Sequence, residues 1–176
     1  MEGTLVGVPV GGGMPTLAFE AKGAITATPL VESNVVYVGS FDKHFYAVPT
    51  GILNPNPIWK LKTDNWIWSE AILAPDPRGQ DVLFITSLDG QVYGVDAGTG
   101  SLIWAKPFTA SEGIRGKPAL VNKSFAGGQY SSLADKVLVV GSRDGMVYGL
   151  NPVSGTSAWE TPINVGDKVL AQVSTR

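Results

Sequence analysis

Cysteine is absent from the 176-residue sequence. Its absence excludes a disulfide framework, a thiolate metal site, a thiol nucleophile and a lipid-modified cysteine within this chain. Charge is scarce as well, since charged residues make up 16% and the formal net charge is −2. No run of Lys or Arg offers a surface for a phosphate backbone, so we expect no nucleic-acid partner.

Long apolar runs are also missing. No stretch approaches the roughly 18 apolar residues of a membrane-spanning helix, so we expect no transmembrane segment. The first ten residues have neither a basic region nor a long apolar region, and they do not form a signal peptide as they stand. The single histidine, His44, has no Ser or Asp partner implied by spacing, so we interpret it as an exposed strand residue.

Three segments of the chain align without a gap: residues 38–48, 85–95 and 140–150. Each contains an Asp in a predicted turn and a Tyr four residues later, and a Trp follows each segment. Two of the three turns have Gly after the Asp, whereas Lys43 stands there in the first. The residues that recur are Asp42, Asp89, Asp144, Gly90, Gly145, Tyr46, Tyr93, Tyr148, Trp59, Trp104 and Trp159.

Each repeat is predicted to be one sheet of four antiparallel strands. Residues 35–38, 82–85 and 137–140 are continuous β-branched, aliphatic or aromatic runs, typical of strands that are buried on both faces. The Asp-Gly pairs favour tight hairpins, which suits the aspartates as turn residues better than as a metal-binding ring. We place each Trp on a fourth strand, with Phe19 at that position in an earlier partial unit. Four-stranded units repeated at this length are typical of β-propeller blades.

The predicted fold is therefore an all-β, incomplete β-propeller, with about three full blades and a partial blade at each end. We divide it into the end of a blade at 1–22, full blades at 23–62, 63–108 and 109–162, and a first strand at 163–176. Such a chain is expected to be part of a longer propeller.

The pattern over residues 87–104, Ser-Leu-Asp-Gly-Gln-Val-Tyr-Gly-Val-Asp-Ala-Gly-Thr-Gly-Ser-Leu-Ile-Trp, resembles the pyrroloquinoline-quinone (PQQ)-like repeat. This resemblance covers nearly the whole chain. It implies one of two classes: non-catalytic binding scaffolds similar to the outer-membrane β-barrel assembly lipoprotein, or quinoprotein dehydrogenases that bind PQQ and calcium at the centre of the ring. It also implies a location outside the cytoplasm, in the periplasm or at the cell surface.

Candidate binding residues lie on the predicted first strands of the blades, which begin near Ile25, Ile67 and Ile114. Aligning these segments places two sets of residues at the ring centre: Thr26, Trp68, Arg115 and Gly166, then Thr28, Glu70, Lys117 and Lys168. Trp68 is suited to stack on a planar group, and Arg115 and Lys117 to pair with carboxylates. Glu70 alone supplies a carboxylate, whereas calcium takes six to eight oxygen ligands. Packing and ion pairing between blades are the other interpretation of these residues.

Trp66 and Trp68 lie two residues apart on one predicted strand and therefore share a face, which is expected to pack between blades. If exposed, this face is the best candidate for a ligand or partner contact.

Three functions follow from these observations. The first is a non-catalytic scaffold that binds proteins, with no cofactor and no metal, whose partners include the remaining blades of a longer chain or a second copy. The second is a fragment of a PQQ- and calcium-dependent dehydrogenase. The third is an extracytoplasmic binder of carbohydrates or small ligands that uses Trp66 and Trp68. No nucleophile–base pair is apparent, so we favour the scaffold over an enzyme.

Overall fold

The computed structural model describes residues 2–75, 80–123 and 133–171 of the chain. Its elements are β-strands apart from one 3-10 helical turn, Leu133–Asp135. The strands, in chain order, are β1 (Gly3–Gly7), β2 (Leu17–Ala21), β3 (Leu30–Glu32), β4 (Val35–Gly39), β5 (His44–Pro49), β6 (Trp59–Lys62), β7 (Ile72–Pro75), β8 (Asp81–Thr86), β9 (Gln91–Asp96), β10 (Phe108–Thr109), β11 (Ala119–Asn122), β12 (Lys136–Gly141), β13 (Met146–Leu150) and β14 (Ile163–Asn164).

The strands form three four-stranded sheets and one two-stranded sheet, all antiparallel and paired in chain order. The full sheets are β3–β6, β7–β10 and β11–β14, and β1 pairs with β2 alone. This confirms the all-β fold of four-stranded blades, and none of the sheets within the described ranges closes into a ring. Ile163–Asn164 is the fourth strand of the last full sheet, so the expected first strand does not begin at residue 163. Residues 165–171 contain no strand, and 172–176 lie outside the described residues.

The core lies between successive sheets, because the middle strands are apolar on both faces. Phe45, Leu83 and Phe84 have no exposed surface. One apolar cluster fills each of the three spaces between neighbouring sheets. The continuous apolar runs of the sequence are therefore buried on both faces, as predicted.

The hairpins between second and third strands have the conformation that the Asp-Gly pairs predict. Gly90 and Gly145 have positive φ angles of 83° and 82°. Lys43, at the same place in the first full sheet, has φ 68°, which a residue with a Cβ adopts less readily than Gly. The first hairpin is thus the one whose sequence fits its turn least well.

The repeated tryptophans link each blade to the next. The Nε1–H of Trp59 donates to the carbonyl of Ala97 at 2.9 Å, and Trp104 donates in the same way to Pro152 at 3.0 Å. Gly100, with φ 72°, lies against the indole of Trp59, where a Cβ would come within 2.6 Å of the ring. Glycine in this turn therefore allows the close approach of neighbouring blades.

Two predictions about the fourth strands are wrong in detail. Trp59 lies on β6, but Trp104 and Trp159 precede β10 and β14. Phe108 and Leu61 occupy equivalent positions, since they pair with Val92 and Phe45. Phe108 follows Trp104 by four residues, whereas Leu61 follows Trp59 by two, so Trp104 falls before its strand. In the partial blade Leu17, not Phe19, occupies the Trp position, since Leu17 pairs with Gly7 as Trp59 pairs with Ala47.

None of the described residues belongs to a helix long and apolar enough to cross a membrane.

Candidate functional site

The recurring aspartates join neighbouring blades. The carboxylate of Asp89 accepts hydrogen bonds from the backbone N–H of Gln91 at 2.9 Å and from the hydroxyl of Tyr93 at 2.8 Å. It also accepts from the backbone N–H of Asp64, which follows the fourth strand of the preceding blade, at 2.9 Å. The same three bonds recur at Asp42 with His44, Tyr46 and Lys22, and at Asp144 with Met146, Tyr148 and Ser111.

The sequence predicts these aspartates as turn residues, and the structure adds that each one bridges two blades. Burial and the hydrogen bond to the partner aspartate raise the pKa of Tyr46 and of Tyr93. The same two causes raise the pKa of Tyr148 to about 12. Burial opposes ionisation of Asp144, but the hydrogen bonds from Tyr148 and Met146 outweigh it and lower the pKa of that carboxyl.

His44 lies closer to an acidic group than its spacing implied. Its Nδ1 is 3.5 Å from a carboxylate oxygen of Asp42 and 3.0 Å from the Asp42 carbonyl oxygen. The expectation that His44 has no Asp partner is therefore wrong, because the hairpin turn brings the His44 ring close to Asp42, two residues earlier. The carboxylate already accepts three hydrogen bonds, so this pair resembles a turn contact more than a general base.

Four side chains form a continuous stack on the face where the second-to-third-strand hairpins meet the segments leading into first strands. Trp66 stacks on Phe41 with 4.5 Å between ring centroids and 9° between planes. Phe41 contacts Trp68 at 4.9 Å, and the guanidinium carbon of Arg115 lies 4.1 Å from the Trp68 ring centroid. We call Trp66, Phe41, Trp68 and Arg115 the aromatic stack. Trp66 is 42% exposed, so one end of the stack faces solvent.

Trp66 and Trp68 do share a face, as predicted, since both contact Phe41. The prediction that the first strand begins near Ile67 and contains them is wrong, because β7 begins only at Ile72. The residue that sequence reasoning missed is Phe41. Its backbone N–H donates to the carbonyl of Ala24. Leu88 donates in the same way to Trp66, and Arg143 to Gly113, so Phe41, Leu88 and Arg143 occupy equivalent positions in their hairpins. An aromatic residue where the other repeats have Leu and Arg was the available signal.

Beside the stack, Lys117 and Glu70 form an ion pair, with Nζ 2.9 Å from Oε2. Both line a hollow of about 200 Å³ together with Trp68 and Arg115. The other lining residues are Thr26, Thr28, Ser69, Gly116 and Leu170. The structure therefore brings all the predicted positions of the first three blades to one place.

The positions predicted in the last, partial blade, Gly166 and Lys168, are wrong by four residues. The backbone N–H of Val169 donates to Ser142, as Ile67 donates to Ser40 and Ile114 to Ser87. Leu170 consequently takes the place predicted for Gly166, and the place predicted for Lys168 falls on residue 172, outside the described residues. The four-residue error arises because Val165-Gly166 and Ile114-Arg115 share only a weak β-branched pattern.

These residues do not fit a calcium site. Among the described residues that line the hollow, Glu70 is the one carboxylate, and it is already paired with Lys117. Over the described ranges, no three His, Cys, Asp or Glu side chains gather where they could hold a metal ion. Calcium needs six to eight oxygens, so the dehydrogenase hypothesis has no observation in its favour in this part of the molecule.

Comparison with known proteins identifies the repeat. The family model described as "Outer membrane protein assembly factor BamB" matches residues 53–160, more than half of the chain. A search of curated protein sequences gives no match.

Solved structures share the fold. BamB from Moraxella catarrhalis aligns at 16% identity and a TM-score of 0.62, over 89% of this chain and 42% of that one. The computationally designed Ika8 protein aligns at 16% identity and 0.69, over 96% and 46%. The designed Ika4 protein aligns at 17% identity and 0.65, over 90% and 85%. The chain thus spans less than half the length of the BamB structure.

Proposed function

The chain belongs to the PQQ-repeat family of outer membrane protein assembly factor BamB, and from this we propose that it is a non-catalytic propeller scaffold that binds other proteins. The observation on which the proposal depends is the aromatic stack, which presents Trp66 to solvent at one end and has Arg115 over Trp68 at the other. Trp and Arg are the residue types most enriched among the few side chains that dominate binding energy at protein interfaces.

The stack is suited to this role because it is already ordered before a partner arrives. Phe41 holds the Trp66 ring by parallel stacking, so little side-chain freedom is lost on binding. Covering the exposed part of Trp66 would remove about 100 Å² from water, equivalent to about 2.5 kcal/mol. The net gain in affinity is smaller, because association also loses translational and rotational freedom.

The partners we propose include further blades, either of a longer chain or of a second copy. Ile163, on β14, is 53% exposed, whereas Phe108, at the same place in the preceding blade, packs between two sheets. Trp159 is likewise less covered than Trp104, which is 3% exposed. These apolar side chains have the pattern of a surface that another blade covers.

The family further suggests that the bound proteins are components or clients of outer-membrane assembly, outside the cytoplasm. The test is biolayer interferometry with the chain immobilised, using soluble domains of the outer-membrane assembly machinery and an unfolded outer-membrane β-barrel polypeptide as probes. Trp66→Ala is expected to weaken binding at least tenfold. Leu102→Ala is the matched control, because Leu102 is equally exposed at 43% and lies outside the stack. Equal effects of the two variants would contradict the proposal.

A second candidate function is binding of a saccharide or another flat small ligand on the same face. The observation that favours it is the exposed indole of Trp66 stacked on Phe41, since sugar rings and planar ligands pack on such surfaces. A saccharide titration should then change tryptophan fluorescence, and Trp68→Ala should abolish the change. No response to any saccharide would remove this candidate.

A further inference from the structure

A second surface lies at the outer rim, between the partial blade and the first full blade. It is a groove of about 620 Å³. Its walls are β2 with the residues that follow it, the start of β6, Tyr46 on β5, and the loop residues 54–57. It contains none of the residues of the aromatic stack.

The groove exists because the Trp anchor is missing here. Leu17 stands at the Trp position and is too short to reach the turn of the next blade, as Trp59 and Trp104 do. That turn is also different: residues 49–58 separate Val48 from Trp59, two more than the 96–103 that separate Val95 from Trp104.

The longer loop pairs with the outer edge of β2 instead. Leu53 forms a parallel bridge with Ala18, and the backbone N–H of Asn54 donates to the Ala18 carbonyl at 2.9 Å. Asn54 has a positive φ of 51°, and the chain then turns away through Pro55 and Pro57. The outer edge of β2 therefore already accepts one added strand residue in extended pairing.

The next part of this edge is open. In an antiparallel pair, every second residue directs both backbone groups away from its partner strand. Ala18 and Lys22 do so, because the Ala18 carbonyl bonds to Asn54 and the Lys22 N–H donates to Asp42 at 3.0 Å. Glu20, between them, must present its N–H and C=O at the same edge, and no described residue is bonded to them there. An unpaired edge of this kind is a template for a further strand.

The walls beside this open edge are apolar at the base and basic at the rim. Phe19 and Tyr46 pack edge to face at 5.0 Å and are buried. Lys60, which pairs with Tyr46 across β5 and β6, is exposed, and Lys22 lies at the end of the groove. Neither lysine forms an ion pair within the described part of the chain. Glu20 also lines the groove, so it is an acidic residue beside these two lysines, but its side chain leaves β2 on the opposite side from that of Phe19, since neighbouring strand residues alternate.

We propose that this groove binds a short extended peptide segment with a carboxylate side chain. The segment pairs with the backbone of Glu20, in the gap between Asn54 and Asp42. Its apolar side chains lie over the base formed by Phe19 and Tyr46, and its carboxylate meets Lys60. Backbone pairing provides affinity and the side-chain contacts provide selectivity, as in other peptide sites formed by strand addition.

The test uses fluorescence anisotropy with the full chain and end-capped, labelled hexapeptides of alternating Val and Thr that contain one central Glu. We expect the Glu peptide to bind about fivefold more tightly than its Gln counterpart, the range of an exposed ion pair. Lys60→Glu should reverse the preference, so that a peptide with central Lys binds more tightly than the Glu peptide. Lys62→Glu is the control, because Lys62 is exposed on the same strand and does not line the groove, and it should change affinity less than twofold.

Hydrogen exchange provides the second measurement. Binding of the Glu peptide should slow exchange of the Glu20 amide, and N-methylation of alternate peptide residues should weaken binding about tenfold through lost backbone bonds. Trp66→Ala should leave this site unchanged, which separates it from the proposed scaffold function. Equal binding of the Glu, Gln and Lys peptides, an unchanged preference in Lys60→Glu, or unchanged exchange at Glu20 would each overturn the proposal.

Discussion

Replacing Asp89 by Asn leaves the size of the side chain almost unchanged but removes its charge and half of its acceptor capacity. Asp89 holds three donors at 2.8–2.9 Å, the Tyr93 hydroxyl and the backbone N–H groups of Gln91 and Asp64. Hydrogen bonds to a charged group contribute about 1.5–3 kcal/mol each, less where the group is partly exposed. Since Asn retains some of the bonds, we expect Asp89→Asn to lower the free energy of unfolding by about 2–3 kcal/mol.

A double-mutant cycle separates the Tyr93 bond from the rest. Tyr93→Phe alone should cost about 1.5 kcal/mol, and the two changes together should cost about 1 kcal/mol less than their sum. The assay is urea denaturation followed by tryptophan fluorescence. Asp96→Asn is the control, because that carboxylate bonds only within its own turn, to Thr99, and should cost under about 1 kcal/mol. Additivity within about 0.3 kcal/mol, or equal losses at Asp89 and Asp96, would refute the interpretation of Asp89 as a link between blades.

Three further predictions concern Trp104, Tyr148 and Asp144. Trp104→Phe removes the hydrogen bond to Pro152 and part of the packing, and should cost about 2–3 kcal/mol in the same urea assay. Stability should fall between about pH 10 and about pH 12, because unfolded tyrosine ionises near 10 whereas native Tyr148 holds its proton to about 12, and Tyr148→Phe should flatten this part of the pH profile. Stability should also fall below about pH 4, because the pKa of Asp144 is lowered in the native state and the unfolded chain takes up the proton first; Asp144→Asn should remove part of that loss.

The predictable parts of the fold are those in which the residue type allows few alternative conformations or environments. The continuous apolar strands and the Asp-Gly hairpins form where the repeat pattern places them, because both-face burial and positive φ leave few alternatives. Positions set by contacts with another blade were harder to predict. Leu17 was missed at the Trp position because the fourth strand of the partial blade contains Phe19 two residues later, and an aromatic residue matches Trp better by type.

The candidate site was predictable in composition but not in arrangement. Trp68, Glu70, Arg115 and Lys117 converge because equivalent positions of successive blades lie side by side. Phe41 comes from a different loop of another blade, and no spacing rule joins a hairpin to the segment of the next repeat. The register of residues 165–171 was wrong for a related reason, since a short segment without Trp or Asp-Gly gives little to align.

The hydrogen bonds between blades run in both directions along the chain. The indoles of Trp59 and Trp104 donate forward to the following unit, at Ala97 and Pro152. The three hairpin carboxylates accept from the preceding unit, at Lys22, Asp64 and Ser111. Coupling restricted to nearest neighbours gives stability that adds up along a one-dimensional array, as in an Ising chain. A unit with neighbours on both sides, such as β7–β10, should then be the last to unfold. During synthesis, the growing polypeptide should gain stability in steps, one each time a further unit is completed.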